Sequence, residues 1–521
     1  MKKYYLLIVV TFLLFSFFAF TVIGNSQTDE FAYYAYKASP IYDWDPSVEY
    51  SGGIVSLNNI YETLLRYDAL EDKFVKLLAT DYTTSSDNLT WTFTLRKDVK
   101  FHDGTELNAD AVKFSIDRTM GMNMGASYIW EPVDKINVID DYTVEFKLKF
   151  PAPLDLICAS GYAAFIMSPT AVKSHPDSWF AEGHEAGSGP YELENYQQEK
   201  GEVILTWFKD YWGGWEGNHF KKAIIKNIPI GATRQLLIEN GEADITAYLP
   251  YEAVASLQDN KNINVLIGPS FENLFLLLNT EKEPLNNKLV RQALSYAFPY
   301  EDVISYCLEG HGRQARGPLP YGMWGHSEEL FQYKYDLNKA KELLEKAGYA
   351  KGGLKLLLTY MTGIESERVI AELFKAKLAE LNINLEIRAM TGESLQALGK
   401  DNNLDKRQDI TMMYWWPDEC TPHCWLHPIF YSEEKPSYNF SYYKNQEFDS
   451  LVDKGFEESG IDKNKANKIY IDAQNILVED APSIFVFDYE SIYFLNKTFK
   501  GLKYNPAYCD VVFFYDTYRE K

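Results

Sequence analysis

Residues 78–118 read LATDYTTSSDNLTWTFTLRKDVKFHDGTELNADAVKFSIDR, and two kinds of periodicity follow each other within them. In TWTFTL (90–95) every second residue is large and apolar, which predicts a half-buried strand. In NADAVKFSIDR (108–118) the apolar residues are spaced for one face of a helix, and Asn108 is a candidate N-cap. The stretch therefore predicts a strand, a loop and a helix in succession.

Strand and helix patterns continue to alternate along the chain. YTVEFKLKF (142–150) and NLEIRAM (384–390) alternate as strands do. Apolar stripes at helical spacing follow Asn287, Asp336 and Ser366, each a residue type that favours the N-cap position. Helices interleaved with short strands predict an α/β protein with more than one sheet. No repeat or flexible linker separates independent domains, so we expect closely joined lobes.

Composition narrows the classes of partner. The chain has 521 residues, of which 46% are hydrophobic and 15% aromatic, so it can bury a large core. Its 74 acidic and 51 basic residues give a net charge of -23, which repels the phosphate backbone of nucleic acids. We therefore expect no nucleic-acid partner.

The N-terminal segment has the layout of a secretory signal. Lys2 and Lys3 precede an apolar run over residues 6–20, and small or polar residues follow. Residues 1–27 are thus predicted to be a signal peptide or an uncleaved N-terminal membrane anchor. No cysteine lies nearby, so we expect an exported periplasmic or cell-surface protein that is not a lipoprotein.

Catalytic signatures are weak throughout the sequence. AGSGP (186–190) has Ala186 where a nucleophile elbow needs glycine. The chain has no phosphate-binding loop with its lysine and no H-E-x-x-H motif. The sequence therefore predicts no cofactor, no catalytic residues and no enzyme class.

One short segment, WWPDECTPHCWLHP (415–428), allows several interpretations. Cys420, His423, Cys424 and His427 have the order of zinc ligands, but four ligands within eight residues lack the connecting loop of ordinary structural sites. The alternative is a disulfide followed by a helix that starts near Pro422. The chain has five cysteines, so one or two disulfides and at least one free thiol are expected. We predict no metal site here.

A series of ordered motifs identifies a family. From about residue 30 to the C-terminus the chain resembles family 5 solute-binding proteins of ABC importers, a group that includes dipeptide and oligopeptide binders. Besides residues 78–118, the motifs are NNIYETLLRYD (58–68), GSGPYELENY (187–196), FKDYWGG (208–214), NGEADI (240–245), VRQALSYAF (290–298) and DLNKAKELLEKAGY (336–349).

The resemblance implies a two-lobed periplasmic-binding-protein fold of the α/β class. Two crossing segments would form a hinge, and an extra subdomain would be inserted in the first lobe. The expected division is 28–58, 186–269 and 490–521 for the first lobe, 59–185 for the inserted subdomain, and 270–489 for the second lobe.

The resemblance also implies a function. A protein of this kind captures its ligand between the lobes, closes by hinge bending and delivers the ligand to permease subunits in the membrane. We expect a non-enzymatic monomer that carries an oligopeptide, with an oligosaccharide as the alternative ligand. A metal-chelate binder or a secreted hydrolase ranks lower.

Site residues follow from matched positions in the family. Trp415, Asp418 and Pro422 keep the spacing of a Trp, an Asp and a Pro that lie at the cleft in family members. In peptide-binding relatives this Asp pairs with the α-ammonium group of the ligand. The resemblance therefore implies that Asp418 is a charged anchor and that Trp415 or Trp416 packs beside the ligand.

A second loop is expected to touch the ligand. YSGG (50–53) resembles the first-lobe loop that contacts the ligand backbone, which implies roles for Ser51 and Gly52; the alternative is an ordinary turn.

The chain departs from strict dipeptide binders at one position. Those relatives supply an Arg for the ligand carboxylate shortly before the helix near Ser366, whereas YMTGIE (360–365) has none. This departure favours a longer peptide or an uncharged sugar. Five tryptophans are candidates for stacking on a sugar or covering a peptide side chain, namely Trp44, Trp130, Trp415, Trp416 and Trp425.

Overall fold

The structure is a computed structural model that describes residues 31–37, 41, 43–50, 52–508 and 510–520. The predicted signal or anchor at 1–27, as well as Ser51 and Cys509, lies outside the described residues. Among the helices that are described, none has both the length and the apolar character that crossing a membrane requires.

The strands, which alternate with the helices along the described chain, are β1 (Phe31–Tyr36), β2 (Leu65–Asp68), β3 (Lys73–Lys76), β4 (Ala79–Thr84), β5 (Thr90–Leu95), β6 (Val133–Asp140), β7 (Thr143–Leu148), β8 (Tyr191–Gln197), β9 (Glu202–Trp207), β10 (Lys222–Asn227), β11 (Ile245–Ala247), β12 (Ile263–Leu278), β13 (Gly312–Gln314), β14 (Lys355–Met361), β15 (Asn384–Met390), β16 (Ile410–Trp415), β17 (Ser483–Asn496), β18 (Phe499–Lys500) and β19 (Tyr518–Arg519).

The helices are α1 (Ile54–Ile60), α2 (Ala109–Met122), α3 (Leu154–Ile157), α4 (Pro169–Ser174), α5 (Gly231–Glu239), α6 (Glu252–Gln258), α7 (Lys288–Ala297), α8 (Tyr300–Cys307), α9 (Leu337–Lys346), α10 (Glu365–Ala379), α11 (Gly392–Gly399), α12 (His423–Phe430), α13 (Gln446–Ser459) and α14 (Lys463–Asp480).

One large mixed sheet extends through both lobes. Its strand order is β15-β14-β16-β12-β17-β11-β1-β10-β9-β8, and β13 pairs with β17 beside this path. Parallel pairs such as β1 with β10 and β14 with β15 lie toward the two ends, whereas β12 and β17 pair antiparallel at the centre. The two long central strands therefore belong to both halves of the sheet.

The pairing of the central strands is interrupted near the middle of β12. Residues 263–269 of β12 pair with 490–496 of β17, and residues 273–277 pair with 483–488, with register shifts between Pro269 and Asn273 and between Leu274 and Phe275. Between these stretches Phe271 has a positive φ of 56°, a conformation that is uncommon for a bulky side chain. The break lies where the sequence predicts the change from first to second lobe. The division into residue ranges stays a prediction.

A separate four-stranded antiparallel sheet is formed by β4, β5, β7 and β6 in that order. Trp91, Phe93 and Leu95 of β5 are buried as their alternation predicts, while the intervening threonines are half-buried or exposed. Helix α2 follows β5, and the Asn108 side chain caps it by accepting a hydrogen bond from the Ala111 N–H. The strand, loop and helix predicted from residues 78–118 are confirmed.

Most predicted helix starts are confirmed, and one is wrong. Asn287 caps α7 and Asp336 caps α9, each through its side-chain oxygen. Ser366, by contrast, lies inside the first turn of α10, and Ile364 occupies the N-cap without a side-chain bond. Two acidic residues in that first turn compensate, because carboxylates are favoured at a helix N-terminus.

Candidate ligand-binding cleft

Three segments that are far apart in sequence meet at Asp418. Asp418 lies in the loop between β16 and α12, Tyr50 lies just before α1, and Tyr128 lies in a 3-10 turn over Ser127–Trp130. Tyr50 and Asp418 are 368 positions apart in the sequence, and the Tyr50 hydroxyl donates a hydrogen bond of 2.7 Å to the Asp418 carboxylate. This meeting point joins the predicted first lobe and its inserted subdomain to the predicted second lobe.

The Asp418 carboxylate is buried and hydrogen-bonded. Its Oδ2 accepts from the hydroxyls of Tyr50 and Tyr128, and the Ser160 hydroxyl donates to its backbone carbonyl at 2.5 Å. The residue is 3% exposed, and burial raises the pKa of Asp418 to about 6 although the two tyrosine hydroxyls act to lower it. Asp418 is thus a desolvated carboxyl group, and a cationic partner would stabilise its ionised form.

The two tryptophans beside Asp418 have different roles. Trp415 is 7% exposed, donates its indole N–H to the Cys424 carbonyl at 2.8 Å and packs edge-on against Tyr438. Trp416 is 39% exposed. Both line the cavity beside Asp418, so Trp415 is a fixed wall of it and Trp416 is a large apolar surface open to a ligand.

The predicted glycine-rich contact loop lies next to this meeting point. Gly52 is half-buried between Tyr50, which reaches Asp418, and Gly53, which is the N-cap of α1. The Gly53 N–H donates to the Glu49 carboxylate at 3.1 Å. Contacts of Ser51 and Gly52 with a ligand backbone stay a prediction.

A cavity of about 440 Å³ opens beside Asp418. We call it the Asp418 chamber. Its lining residues are Tyr50, Glu272, Met361, Ile364, Glu367, Gly392, Leu395, Gln396, Thr411–Trp416, Asp418, Tyr438 and Phe440. Apolar and aromatic side chains form most of the wall, and three carboxyl groups interrupt it.

The two other carboxyl groups of the chamber are desolvated as well. Glu367 is 2% exposed and accepts a hydrogen bond of 2.7 Å from the Met361 N–H, yet burial raises its pKa to about 7. Glu272 lies at the break in β12. Burial raises the pKa of Glu272 to about 8, with the Asp510 carboxylate adding to the rise and the Lys37 ammonium opposing it.

A second cavity of about 630 Å³ shares Glu272 with the chamber. Two cationic side chains are among its described lining residues, Lys37 and Arg234. Arg234 is 1% exposed and donates to the backbone carbonyls of residues 228, 229, 247 and 248, so its guanidinium is committed to the fold. Lys37 is exposed. Glu272 is the one described residue that lines both cavities, so it lies between them.

The disulfide expectation for WWPDECTPHCWLHP is wrong for the cysteines that the structure describes. Cys158, Cys307, Cys420 and Cys424 are all free thiols. The Cys424 sulfur accepts a hydrogen bond from the Asp418 N–H at 3.3 Å, so it holds the Asp418 loop without a disulfide. Helix α12 starts at His423 after Pro422, as predicted.

The histidines of this segment make contacts with other aromatic rings. His423 stacks on Phe456 at a centroid distance of 4.1 Å and lies 4.7 Å from the His427 ring. Burial lowers the pKa of both histidines, and both line a smaller cavity of about 290 Å³ beside Glu419. Within the described residues, no three His, Cys, Asp or Glu side chains are grouped so as to hold a metal ion.

Three of the candidate tryptophans are core residues. Trp44, Trp130 and Trp425 are at most 1% exposed. Their indole rings are therefore unavailable for stacking on a ligand, which leaves Trp415 and Trp416 at the cleft.

Sequence reasoning missed Tyr128, Glu272 and Glu367. Glu272 had a signal, because FENLFLLLN (271–279) places one acidic side chain in an apolar strand. Tyr128 and Glu367 had none, since neither spacing nor residue type separates them from ordinary surface residues. Their importance depends on tertiary contacts.

Comparisons with known proteins identify the family of the chain. The sequence model described as "Bacterial extracellular solute-binding proteins, family 5 Middle" matches residues 73–437. The probable D,D-dipeptide-binding periplasmic protein of Escherichia coli K12 is 31% identical over 456 residues, with 86% of each chain covered.

Solved structures give the same result. A periplasmic binding protein from Helicobacter pylori in complex with the peptide STSA is 27% identical, with a TM-score of 0.81 over 94% of this chain and 98% of that one. A dipeptide-binding protein from Pseudoalteromonas in complex with Met-Leu is 25% identical, with a TM-score of 0.80 over 94% of this chain and 100% of that one. The chain belongs to the family 5 extracellular solute-binding proteins.

Proposed function

We propose that this protein captures an oligopeptide in the cleft between its lobes and delivers it to the permease of an ABC importer. The observation that carries the proposal is Asp418, a buried carboxylate at the meeting point of the lobes that also lines the chamber. The relatives described as binding a D,D-dipeptide, STSA and Met-Leu support a peptide ligand for this chain as well.

Asp418 is the anchor for the amino terminus of the peptide. An α-ammonium group in the chamber gives the ionised carboxylate a cationic partner in a water-poor site, where charge-assisted hydrogen bonds are strong. Tyr50 and Tyr128 donate to one oxygen of the carboxylate, and no side chain of the described residues donates to the other. The anchor therefore has acceptor capacity left for the ligand.

The carboxylate end of the ligand sets its length. None of the described residues lining the chamber is Lys, Arg or His, so a dipeptide held there has no cation for its carboxylate. A buried carboxylate without such a partner is disfavoured by several kcal/mol. A longer peptide, running from Asp418 past Glu272 into the second cavity toward Lys37, avoids this cost.

An oligosaccharide is the second candidate ligand. The exposed ring of Trp416 at the chamber favours it, because sugars stack on aromatic faces. The buried carboxyl groups count against it, since neutral hydroxyls compensate a desolvated charge less well than an ammonium does. The peptide is therefore the leading ligand.

Export and delivery complete the proposal. Residues 1–27 act as a signal peptide or a membrane anchor without a lipid attachment, and the protein works outside the cytoplasm as a monomer. It binds its ligand and carries out no reaction on it. Intact recovery of a bound peptide after prolonged incubation, read by mass spectrometry, supports this statement; hydrolysis of the peptide contradicts it.

The first test removes the charge of the anchor. Asp418→Asn is expected to weaken binding of an amino-terminal peptide by about 2–5 kcal/mol, because a close buried charge pair is lost. Isothermal titration calorimetry with the wild type and the variant measures the difference.

The control for this test is Glu419→Gln. It removes the neighbouring buried carboxyl group, which does not line the chamber. Equal peptide affinity for wild type and Asp418→Asn removes Asp418 from the site. Equal losses in Asp418→Asn and Glu419→Gln indicate a general effect of charge instead of a contact.

A further inference from the structure

We propose that the Asp418 chamber selects peptides that carry a second positive charge, with a lysine or arginine side chain lying along its apolar wall and ending at Glu367 or Glu272. This inference rests on the proposed function, because Asp418 is taken as the site of the α-ammonium group. It specifies which peptides the cleft prefers.

All the ionisable acid and base side chains that line the Asp418 chamber, among the described residues and apart from tyrosines, are acidic. Asp418, Glu367 and Glu272 contribute three carboxyl groups, and none of the described residues around the chamber carries a cation to balance them. Of the cations in the adjoining cavity, Arg234 is bound to backbone carbonyls and Lys37 is exposed. One α-ammonium group neutralises one of the three acids.

Glu272 lacks a protein partner. No described residue donates a hydrogen bond to its carboxylate, and no described cation lies within ion-pair distance of it. Glu272 is half-buried, and an unpaired carboxyl group with a raised pKa in a cleft is a candidate contact for a ligand group. Its position at the break in β12, where the chamber and the second cavity meet, exposes it to a ligand that passes through both.

The shape of the chamber fits a long aliphatic side chain with a charged end. Met361, Ile364, Leu395, Met412 and Phe440 supply apolar wall. Lysine and arginine bury their methylene groups along such surfaces and direct the cation to a polar partner. Methionine side chains are flexible and can pack against the methylene groups of either lysine or arginine, so the chamber can accommodate both side chains.

The protonation of Glu367 and Glu272 makes the proposed preference for cationic peptides measurable. In the ligand-free protein burial raises the pKa of Glu367 to about 7 and that of Glu272 to about 8, so both carry protons at neutral pH in part of the molecules. A cation that pairs with either carboxylate favours its ionised form. Binding of a lysine peptide near pH 7 therefore releases protons from the site.

The experiment compares matched peptides. Alanine tetrapeptides with one lysine at position one, two or three are titrated against the same set with glutamine, by calorimetry near pH 7. We expect at least one lysine peptide to bind about tenfold or more tightly than its glutamine counterpart, as a buried charge-assisted contact predicts. Titration in two buffers of different ionisation enthalpy measures the expected proton release.

Variants locate the second charge. Glu272→Gln and Glu367→Gln are expected to lower the lysine-to-glutamine affinity ratio, in one variant or both. The matched control is Glu386→Gln, since Glu386 is exposed on β15 away from the chamber. It should leave the ratio unchanged. A thermal melt of each variant identifies one that does not fold, and the other variant then decides.

The outcomes separate this inference from the proposed function. Equal binding of lysine and glutamine peptides, or a ratio that survives in both variants, overturns the selection and leaves peptide capture intact. No binding of any peptide in either set contradicts the proposed function itself. Tight lysine binding that depends on Glu272 or Glu367 supports both.

Discussion

At the scale of single residues, opposing effects act on the Asp418 carboxyl group. Burial favours its neutral form and two tyrosine hydroxyls favour its ionised form, and burial is the larger effect, so its pKa is raised to about 6. A bound ammonium group adds to the effect of the tyrosines. The affinity of the protein for an amino-terminal peptide therefore depends on the ionisation of this one group.

This dependence gives a prediction for pH. The pKa of Asp418 is about 6 without ligand and falls when an ammonium group binds, so the site must release a proton to bind below pH 6. Peptide affinity is expected to decrease as the pH is lowered from 7 to 5, approaching about tenfold per pH unit well below the ligand-free pKa. Calorimetry across this range measures it.

The Asp418→Asn variant is the comparison for the pH series, because it has no carboxyl group to titrate at this position. Its affinity should change less with pH than that of the wild type. Identical pH profiles for the two proteins would assign the titration to other groups in the cleft.

The sequence pointed to Asp418, whose role as an anchor is a proposal, but not to the groups around it. The resemblance to the family implied Asp418, because Trp415, Asp418 and Pro422 keep the spacing of the family motif within one short segment. Tyr128 is 290 residues away from Asp418, and no local pattern predicts a contact over that distance. Glu367 is one acidic residue among 74 and only its burial in the cleft distinguishes it, whereas Glu272 stands out only as the single acid in the apolar segment 271–279.

At the scale of elements, the turn between α13 and α14 contacts the inserted part of the chain. Gly460 ends α13, and a Cβ atom built there would lie 2.5 Å from the backbone nitrogen of Ala152. Nearby, Lys463 pairs with Asp72 across the same boundary. These contacts form where the predicted second lobe meets the predicted inserted subdomain.

The Gly460→Ala substitution is therefore a test of closure. Its backbone φ of -80° suits alanine, so the substitution is compatible with the local fold, but the added methyl group overlaps Ala152 when the lobes are together. We expect peptide affinity to fall by about 1–3 kcal/mol, the usual cost of overpacking. The melting temperature of the ligand-free protein should fall as well, because the close approach of Gly460 to Ala152 is already present without ligand.

Gly121→Ala is the matched control, because a Cβ atom at Gly121 on α2 meets nothing within 4 Å. It should leave peptide affinity unchanged. An unchanged affinity in Gly460→Ala as well would show that this contact is not part of the binding-competent state.

Local sequence patterns predicted most helices and strands, because alternation and helix capping each depend on residues that are close together in the sequence. Alternation in β5 and β15 and side-chain caps at Asn108, Asn287 and Asp336 act within a few residues. The predicted cap at Ser366 failed because acidic side chains one residue to either side stabilise the same helix end. The expected disulfide failed because cysteine spacing contains no information on side-chain direction.

At the scale of the whole molecule, a motif series predicted the fold and the family where single motifs did not. The two long central strands explain the architecture, since β12 and β17 pair on both sides of one break and so connect both halves of the sheet. The cleft beside that break is built from segments that span most of the chain. Its charge pattern was therefore visible only in three dimensions.

The most direct test of peptide capture is native mass spectrometry with a mixed pool of peptides and neutral oligosaccharides, applied to the wild type and Asp418→Asn. We predict one peptide bound per wild-type molecule and a marked loss of that complex in Asp418→Asn. A bound oligosaccharide, or a peptide complex of equal abundance in both proteins, would contradict the account.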